Sequence, residues 1–343
     1  MDFRVPDQLA ALRDPATWPV APRDAAEPCV LQTHVSVVVL CGDRAFKLKK
    51  ALALPFVDQS SAAKRHAACL TELRLNRRLC PSVYLAVLPL RRTPVGLRLG
   101  AAAPHGGETV DHAVVMQRLP AARMLDVLLA RDAVHAAEIA ALARTVAAFH
   151  RAQARRADDA VRAAGAPARL LALARANFTE TMPLAGSVFD RELHAVLADR
   201  LEAALPALEE RLARRAREGR IVDGHGDLHA RNVCLTEPPV IYDALEFDAG
   251  MRCGDVATDL AFLAMDLRYR GRPELARAFV DEYVRVSGDH GVFEVLHELV
   301  RYRAMVRAKV DALGARDQAI ESGERARLLE AARRHLRLLA WTA

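Results

Sequence analysis

Lysine is scarce in this chain: 343 residues hold only five, Lys47, Lys49, Lys50, Lys64 and Lys309. The positive charge is carried almost entirely by arginine, and 49 basic against 43 acidic residues leave a net charge of +6. No block of five or six like charges occurs, and aromatics are only 5% of residues. Without a basic stripe interleaved with stacking rings, nucleic acid is not an expected partner. The six cysteines form no C-x-x-C pair, which argues against a zinc site or a disulfide framework. No stretch approaches the roughly 18 apolar residues needed to span a bilayer, and Met1–Pro6 lacks the apolar run of a signal peptide. A cytoplasmic, reduced protein with no membrane partner is expected.

Proline and glycine punctuate what is present. Pro6, Pro15, Pro19, Pro22 and Pro28 mark residues 1–28 as an irregular lead-in, apart from a short helix near Gln8–Arg13. Cys29–His34, Val35–Cys41 and Arg44–Ala51 read as three strands, with Gly42-Asp43 as the turn between the last two. Ser61–Leu79 has helical periodicity, with Leu70, Leu73 and Leu79 on one side. Val83–Arg91 and His112–Leu119 read as two more strands, joined by a loop containing Pro94, Gly96, Gly100, Pro104, Gly106 and Gly107. Beyond Pro120 the composition turns to Ala, Leu, Arg and Glu, which favour helix, with breaks at Gly165–Pro167, Met182–Gly186 and Ser287–Gly291. Two short apolar segments, Asn232–Leu235 and Val240–Tyr242, lie between. The expected fold class is α+β and protein-kinase-like. A small lobe, 29–118, holds a five-stranded antiparallel sheet plus one helix; a larger, mainly helical lobe, 119–343, follows.

The richest stretch is residues 223–259, DGHGDLHARNVCLTEPPVIYDALEFDAGMRCGDVATD. His225-Gly226-Asp227 is followed by Asn232 five residues after the aspartate, the D-x-x-x-x-N spacing of a kinase catalytic loop. The apolar run Val240-Ile241-Tyr242 ends at Asp243, a rigid mount for a metal ligand. Phosphoryl transfer leaves the protein mainly positioning and charge neutralisation. Magnesium takes oxygen ligands, which Asp243 and the Asn232 amide oxygen would supply. Asp227 would stay off the metal to orient an attacking hydroxyl. A metal-hydrolase cluster of His225, Asp227 and His229 is the competing reading, and Asn232 with the strand-borne Asp243 argues against it.

HGDLHARN, IYD and GDVATDLA resemble the aminoglycoside phosphotransferase superfamily, which includes choline and other small-molecule kinases. THVS at 33–36, AFKLKK at 45–50, ELRLNRRL at 72–79 and YRAMVRAKV at 302–310 are similar to a bacterial branch often fused to a C-terminal P-loop kinase-like domain. No G-x-x-x-x-G-K-[ST] occurs here, so only the first domain is expected. The resemblance implies Asp227 as catalytic base, His225 as support for its loop, and Asn232 and Asp243 as magnesium ligands. Asp255 and Asp259 would brace the catalytic segment.

Three of the five lysines fall in one strand, where Lys47 and Lys49 share a face opposite Phe46 and Leu48. Lys47 best matches the family's phosphate-binding lysine, with Glu72 as its partner and Lys49 in reserve. Thr33 and Ser36 stand where protein kinases have a glycine-rich loop, their hydroxyls and N–H groups facing phosphate. ATP's adenine would lie near Met116, Gln117 and Leu119. Asp243-Ala244-Leu245 keeps the aspartate of D-F-G but not its Phe and Gly. Glu246 and Asp248 either receive a substrate or cap a turn. Arg301, Arg303, Arg307 and Lys309 form a basic stripe that is either solvated or binds an anionic acceptor. Tyr269, Tyr283 and Asn177 carry no signal separable from packing. The reading is an ATP- and Mg²⁺-dependent kinase acting on a hydroxyl of a small-molecule acceptor. A nucleotide-binding regulatory module or protein-directed kinase is the alternative.

Overall fold

The computed structural model describes residues 5–20, 27–54, 57–100, 107–318 and 320–340. Pro22, Pro104 and Gly106 lie outside them. The chain divides into two compact units, Met1–Arg123 with Val240–Asp248, and Met124–Pro239 with Ala249–Ala343.

The first unit is built on a six-stranded antiparallel sheet, one strand more than expected. In chain order the strands are β1 (Cys29–Gln32), β2 (Ser36–Cys41), β3 (Arg44–Lys49), β4 (Tyr84–Thr93), β5 (Gly96–Leu99) and β6 (Glu108–Gln117). Their spatial order is β1-β2-β3-β6-β4-β5. The unexpected strand, β5, forms from the segment read as a loop. It folds back on β4 with Thr93 opposite Gly96. Gly96 takes φ +108°, a conformation that a side chain would strain. At the β2–β3 turn, Cys41 pairs with Arg44 around Gly42-Asp43, as the sequence suggests.

Alternation along β3 assigns the two sheet faces. Phe46 and Leu48 enter one apolar cluster with Val37, Val39, Leu90 and Val115. The stretch read as an irregular lead-in covers this face: Val5, Leu12 and Trp18 are buried in the same cluster. The Trp18 ring stacks on Phe46 at 4.7 Å, and its indole N–H donates to the Leu12 carbonyl. Each such side chain contributes about 1.5–3 kcal/mol of burial. Sequence punctuation by proline misses this role, because the packing partners are distant in the chain.

The opposite face receives helix α1 (Ala62–Asn76), capped by Ser61, whose hydroxyl accepts from Lys64 N–H. Its buried side is Arg65, Cys69, Glu72, Leu75 and Asn76. Leu70, expected inside, is 47% exposed. The helix is turned by its charges: Arg65 pairs with Asp111 on β6, and Glu72 with the β3 lysines.

The second unit is helical, with α2 (Ala136–Ala154), α3 (Pro167–Thr181), α4 (Arg191–Arg217), α5 (Ala257–Tyr269), α6 (Pro273–Ser287), α7 (Val292–Arg316) and α8 (Ser322–Ala340). The three expected breaks all appear. Gly165 is required where it stands, since a Cβ there would meet Ile221 Cγ2 at 2.6 Å and Gly254 N at 2.9 Å. From Ala257 to Leu267 every residue of α5 is buried, which marks a central helix. Two short strands, β7 (Ile221–Asp223) and β8 (Cys253–Asp255), pair antiparallel beside it. Among the described residues no helix is long and apolar enough to cross a membrane.

Candidate functional site

In the first unit, the sheet face that bears α1 carries a chain of charges. Lys47 Nζ lies 2.9 Å from Glu72 Oε1 and 2.5 Å from Asp243 Oδ1. Lys49 Nζ lies 2.5 Å from Glu72 Oε2 and pairs with Glu246. Both lysines therefore reach the same helix carboxylate, and only Lys47 also reaches Asp243. The cluster is dry: Glu72 and Lys49 are fully buried, and the Lys47 side chain is 10% exposed. Burial works to lower the Lys47 pKa, but Asp243, Glu72 and Glu246 prevail and raise it well above the usual lysine value. Burial works to raise Glu72, but the two ammonium groups hold it at about 2. Lys47, Lys49 and Glu72 are thus ionised at neutral pH.

Asp243 has a left-handed backbone, φ +63°, which costs a non-glycine residue on the order of 1–3 kcal/mol. Local bonds hold it there. The Asp243 N–H donates to the Tyr84 hydroxyl at 3.3 Å, and the Ala244 N–H donates to Asn76 Oδ1 at 2.9 Å. The Tyr84 hydroxyl also reaches Glu72 Oε1 at 3.4 Å. Asp243 Oδ2 has no bond to the described residues, and the side chain is 36% exposed. Sequence reading missed Tyr84 and Asn76, although Asn76 lies one helical turn after Glu72. It left Glu246 open between substrate binding and turn capping, and here Glu246 is spent on Lys49.

The remaining nucleotide-side candidates differ in what they have free. The Thr33 hydroxyl accepts from Ser36 N–H and donates to Ser36 O, and Thr33 N–H donates to the same carbonyl. That turn consumes Thr33, so it does not offer donors to phosphate in this conformation. Ser36 Oγ is buried without a partner. Met116 is buried in the core beside Tyr84. The Gln117 side chain binds Arg44, and its N–H donates to Val83 O. Among the three, only Leu119 has a main chain with no hydrogen bond to the described residues.

In the second unit, β7 runs into the loop Gly224–Asn232. Asp259, on the first turn of α5, accepts from His225 N–H at 2.7 Å and Gly226 N–H at 2.9 Å. It also contacts His150 Nε2 at 3.2 Å, and His150 Nδ1 lies 3.0 Å from the Tyr283 hydroxyl. Gly226 adopts φ +81°, so the loop turns at a residue without a Cβ. About two helical turns further along α5, Asp266 accepts from Ala230 N–H at 2.8 Å. Two carboxylates on one buried helix therefore hold the loop at both ends. Asp259 acts as the sequence suggests. Asp255 acts at the helix start, as expected, but not on the loop: it caps Ala257 N–H and binds Arg215 at 2.8 Å. Asp266, His150 and Tyr283 are new members, drawn in from positions too far apart for a motif.

At the loop's centre, Asp227 N–H donates to His225 Nδ1 at 3.2 Å, so His225 shapes the loop through its ring. Asn232 Nδ2 donates to Asp227 O at 3.0 Å and Oδ2 at 3.2 Å. That fixes the amide orientation and leaves its oxygen without a partner among the described residues. The Asp227 side chain is 37% exposed, with His229 Nε2 3.4 Å from Oδ2. Crowding by the protein works to raise the Asp227 pKa. The charges of His229, Arg307 and His225, with the His229 bond, outweigh it and hold the carboxyl below the usual range. Among the described residues no three His, Cys, Asp or Glu side chains are grouped to hold a metal.

An uncharacterized protein of Mycobacterium tuberculosis (strain H37Rv) is 35% identical over 286 residues, 83% of this chain and 54% of that protein. One from Mycobacterium bovis matches to the same extent. The chain therefore spans about half the length of the curated relatives it matches. Among solved structures, Plasmodium vivax ethanolamine kinase superposes with a TM-score of 0.54 at 9% identity, covering 94% of this chain and 84% of that one. The likeness is one of fold, and it supports the α+β, protein-kinase-like class. Residues 56–299 match the phosphotransferase enzyme family, and the chain belongs to that family.

Proposed function

We propose that the chain is an ATP- and Mg²⁺-dependent kinase that phosphorylates a hydroxyl of a small molecule. The observation that carries this is the buried Lys47–Glu72 ion pair between β3 and α1, the pairing that orders a lysine on nucleotide phosphates in kinases. Lys47 would bind phosphate oxygens, with Lys49 holding Glu72 in place from its other oxygen. Each unit offers an oxygen of the kind magnesium takes. Asp243 Oδ2 and the Asn232 amide oxygen are hard oxygens with no hydrogen bond to the described residues, and each would serve as a ligand. Bound Mg²⁺ supplies neutralisation of phosphate charge. The main chain of Leu119 is the place for adenine.

In the reaction a new bond forms between the acceptor oxygen and the γ-phosphorus as the bridge to the β-phosphate breaks. ADP leaves, and the acceptor's proton passes to Asp227. A carboxylate held ionised by His229 and Arg307 is suited to orient that hydroxyl. The test is Mg²⁺-dependent ATP consumption against sugars, amino sugars, amino alcohols and aminoglycosides, with Asp227→Ala alongside. Turnover lost in the variant while ATP still binds supports the reading. ATP binding without turnover on any acceptor points instead to a regulatory nucleotide-binding module.

A further inference from the structure

The helical unit contains a cavity of about 290 Å³ walled by α5, α7, α8 and the turn after Asp227. That volume is at the small end for ligand pockets, the size of a monosaccharide. His229 lines it and also lies 3.4 Å from Asp227 Oδ2, so the cavity reaches the proposed base through one residue.

The walls carry Arg231, Arg270, Arg307 and Arg327 against Asp266, Asp311 and Glu324. Each of the three acids accepts from an arginine. Asp266 uses one oxygen on Ala230 N–H and the other on Arg270 Nε at 3.1 Å. Asp311 Oδ1 accepts from Arg307 at 3.0 Å, and Glu324 from Arg327 at 3.2 Å. Arg270 and Arg307 each spend a single nitrogen on these bonds, which leaves the rest of both guanidinium forks without acceptors among the described residues. A fork with spare N–H groups is matched to carboxylate or phosphate oxygens. Two polar atoms of lining residues, His229 Nδ1 and Asp311 Oδ2, are closed off from solvent and have no hydrogen bond. The latter stands 3.0 Å from His335 Nδ1, which bonds to Ala331 O instead.

We propose that the phosphoryl acceptor is a small hydroxylated anion of monosaccharide size, its carboxylate or phosphate ester seated on Arg270 and Arg307. This rests on the kinase reading above and narrows it to one acceptor class.

Calorimetric titration of the full chain without nucleotide tests the charge preference on one hexose scaffold, using glucuronate, glucose 6-phosphate, glucose and glucosamine. The expected result is that one of the two anions binds about tenfold or more tighter than glucose and glucosamine. Which anion binds separates carboxylate from phosphate recognition. Arg307→Met and, separately, Arg270→Met should each remove that preference, with Arg307→Lys restoring part of it. Circular dichroism establishes that each variant is folded. Glucosamine or glucose binding as tightly as the anions overturns the proposal. So does anion binding unchanged in both methionine variants, or no anion binding at millimolar concentration. ATP consumption with the same four compounds separates the two readings. Turnover of glucose or glucosamine but not of the anions keeps the kinase and overturns the anionic acceptor. Anion binding without turnover on any compound overturns the kinase reading, and with it the acceptor role.

Discussion

The two charged regions of this protein are held by different means. In the first unit Lys47, Lys49, Glu72, Asp243 and Glu246 hold one another, side chain to side chain, around a buried centre of Lys49 and Glu72, with Asp243 reaching solvent. In the second, Asp227 sits in a loop whose backbone N–H groups are gripped by Asp259 and Asp266 from a single buried helix. Ion pairs locate charge. Carboxylate-to-backbone bonds locate a loop, and leave the Asp227 side chain itself open to solvent. The first arrangement suits binding of a highly charged ligand, and the second suits presenting one carboxylate to a reacting hydroxyl.

The largest effect should come from the exposed member. Asp227→Asn is expected to lower kcat by about 10²–10⁴, with stability to urea changed by less than about 1 kcal/mol. In the ion-pair layer the order is reversed. Lys49→Met leaves Glu246 buried without its cation and Glu72 with Lys47 alone, and should lower unfolding free energy by about 3–5 kcal/mol. The double variant Lys49→Met/Glu246→Gln should recover part of that loss in a denaturation cycle.

The ion-pair layer should also give a specific acid response. The Glu72 pKa falls from 4.5 to about 2 on folding. The unfolded chain therefore binds the extra proton, and stability increases with pH. The contribution is complete above about pH 4.5 and is lost as pH falls toward 2, on the order of 3 kcal/mol in all. Urea titrations from pH 7 to 3 on wild type and Glu72→Gln should show a shallower acid decline in the variant. An identical decline would show that Glu72 is not the group involved.

How much of this was legible follows the same division. The lysines of β3 stood out because lysine is rare here, and strand alternation put Lys47 and Lys49 on one face. Glu72 followed from its place on the next helix. Asp227, Asn232 and Asp243 were visible as a short motif, and the family match bears out the resemblance drawn from it. Strand β5 and the packing of Val5, Leu12 and Trp18 were not visible, because their partners lie far along the chain. Asp266, His150 and Tyr283 escaped for the same reason. The basic stripe came apart on folding: Arg303 lies over the Phe262 ring, Arg307 enters the cavity, and Lys309 pairs with Glu180.

Two smaller perturbations sharpen the contrast. Asp259→Asn keeps one acceptor oxygen but deprives His225 or Gly226 N–H of its partner, at about 1–3 kcal/mol. It should lower kcat together with stability, unlike Asp227→Asn. Lys309→Ala breaks only the partly exposed pair with Glu180 and should shift unfolding free energy by no more than about 1 kcal/mol, with activity unchanged.

The most direct measurement is steady-state phosphoryl transfer by wild type, Lys47→Met and Asp227→Asn, read as KM for ATP and kcat separately. The account predicts that Lys47→Met weakens ATP use, raising KM along with any loss of kcat, while Asp227→Asn lowers kcat and leaves ATP binding intact. Wild-type turnover in Asp227→Asn, or the same change of KM and kcat in both variants, would contradict the division of labour between the two units.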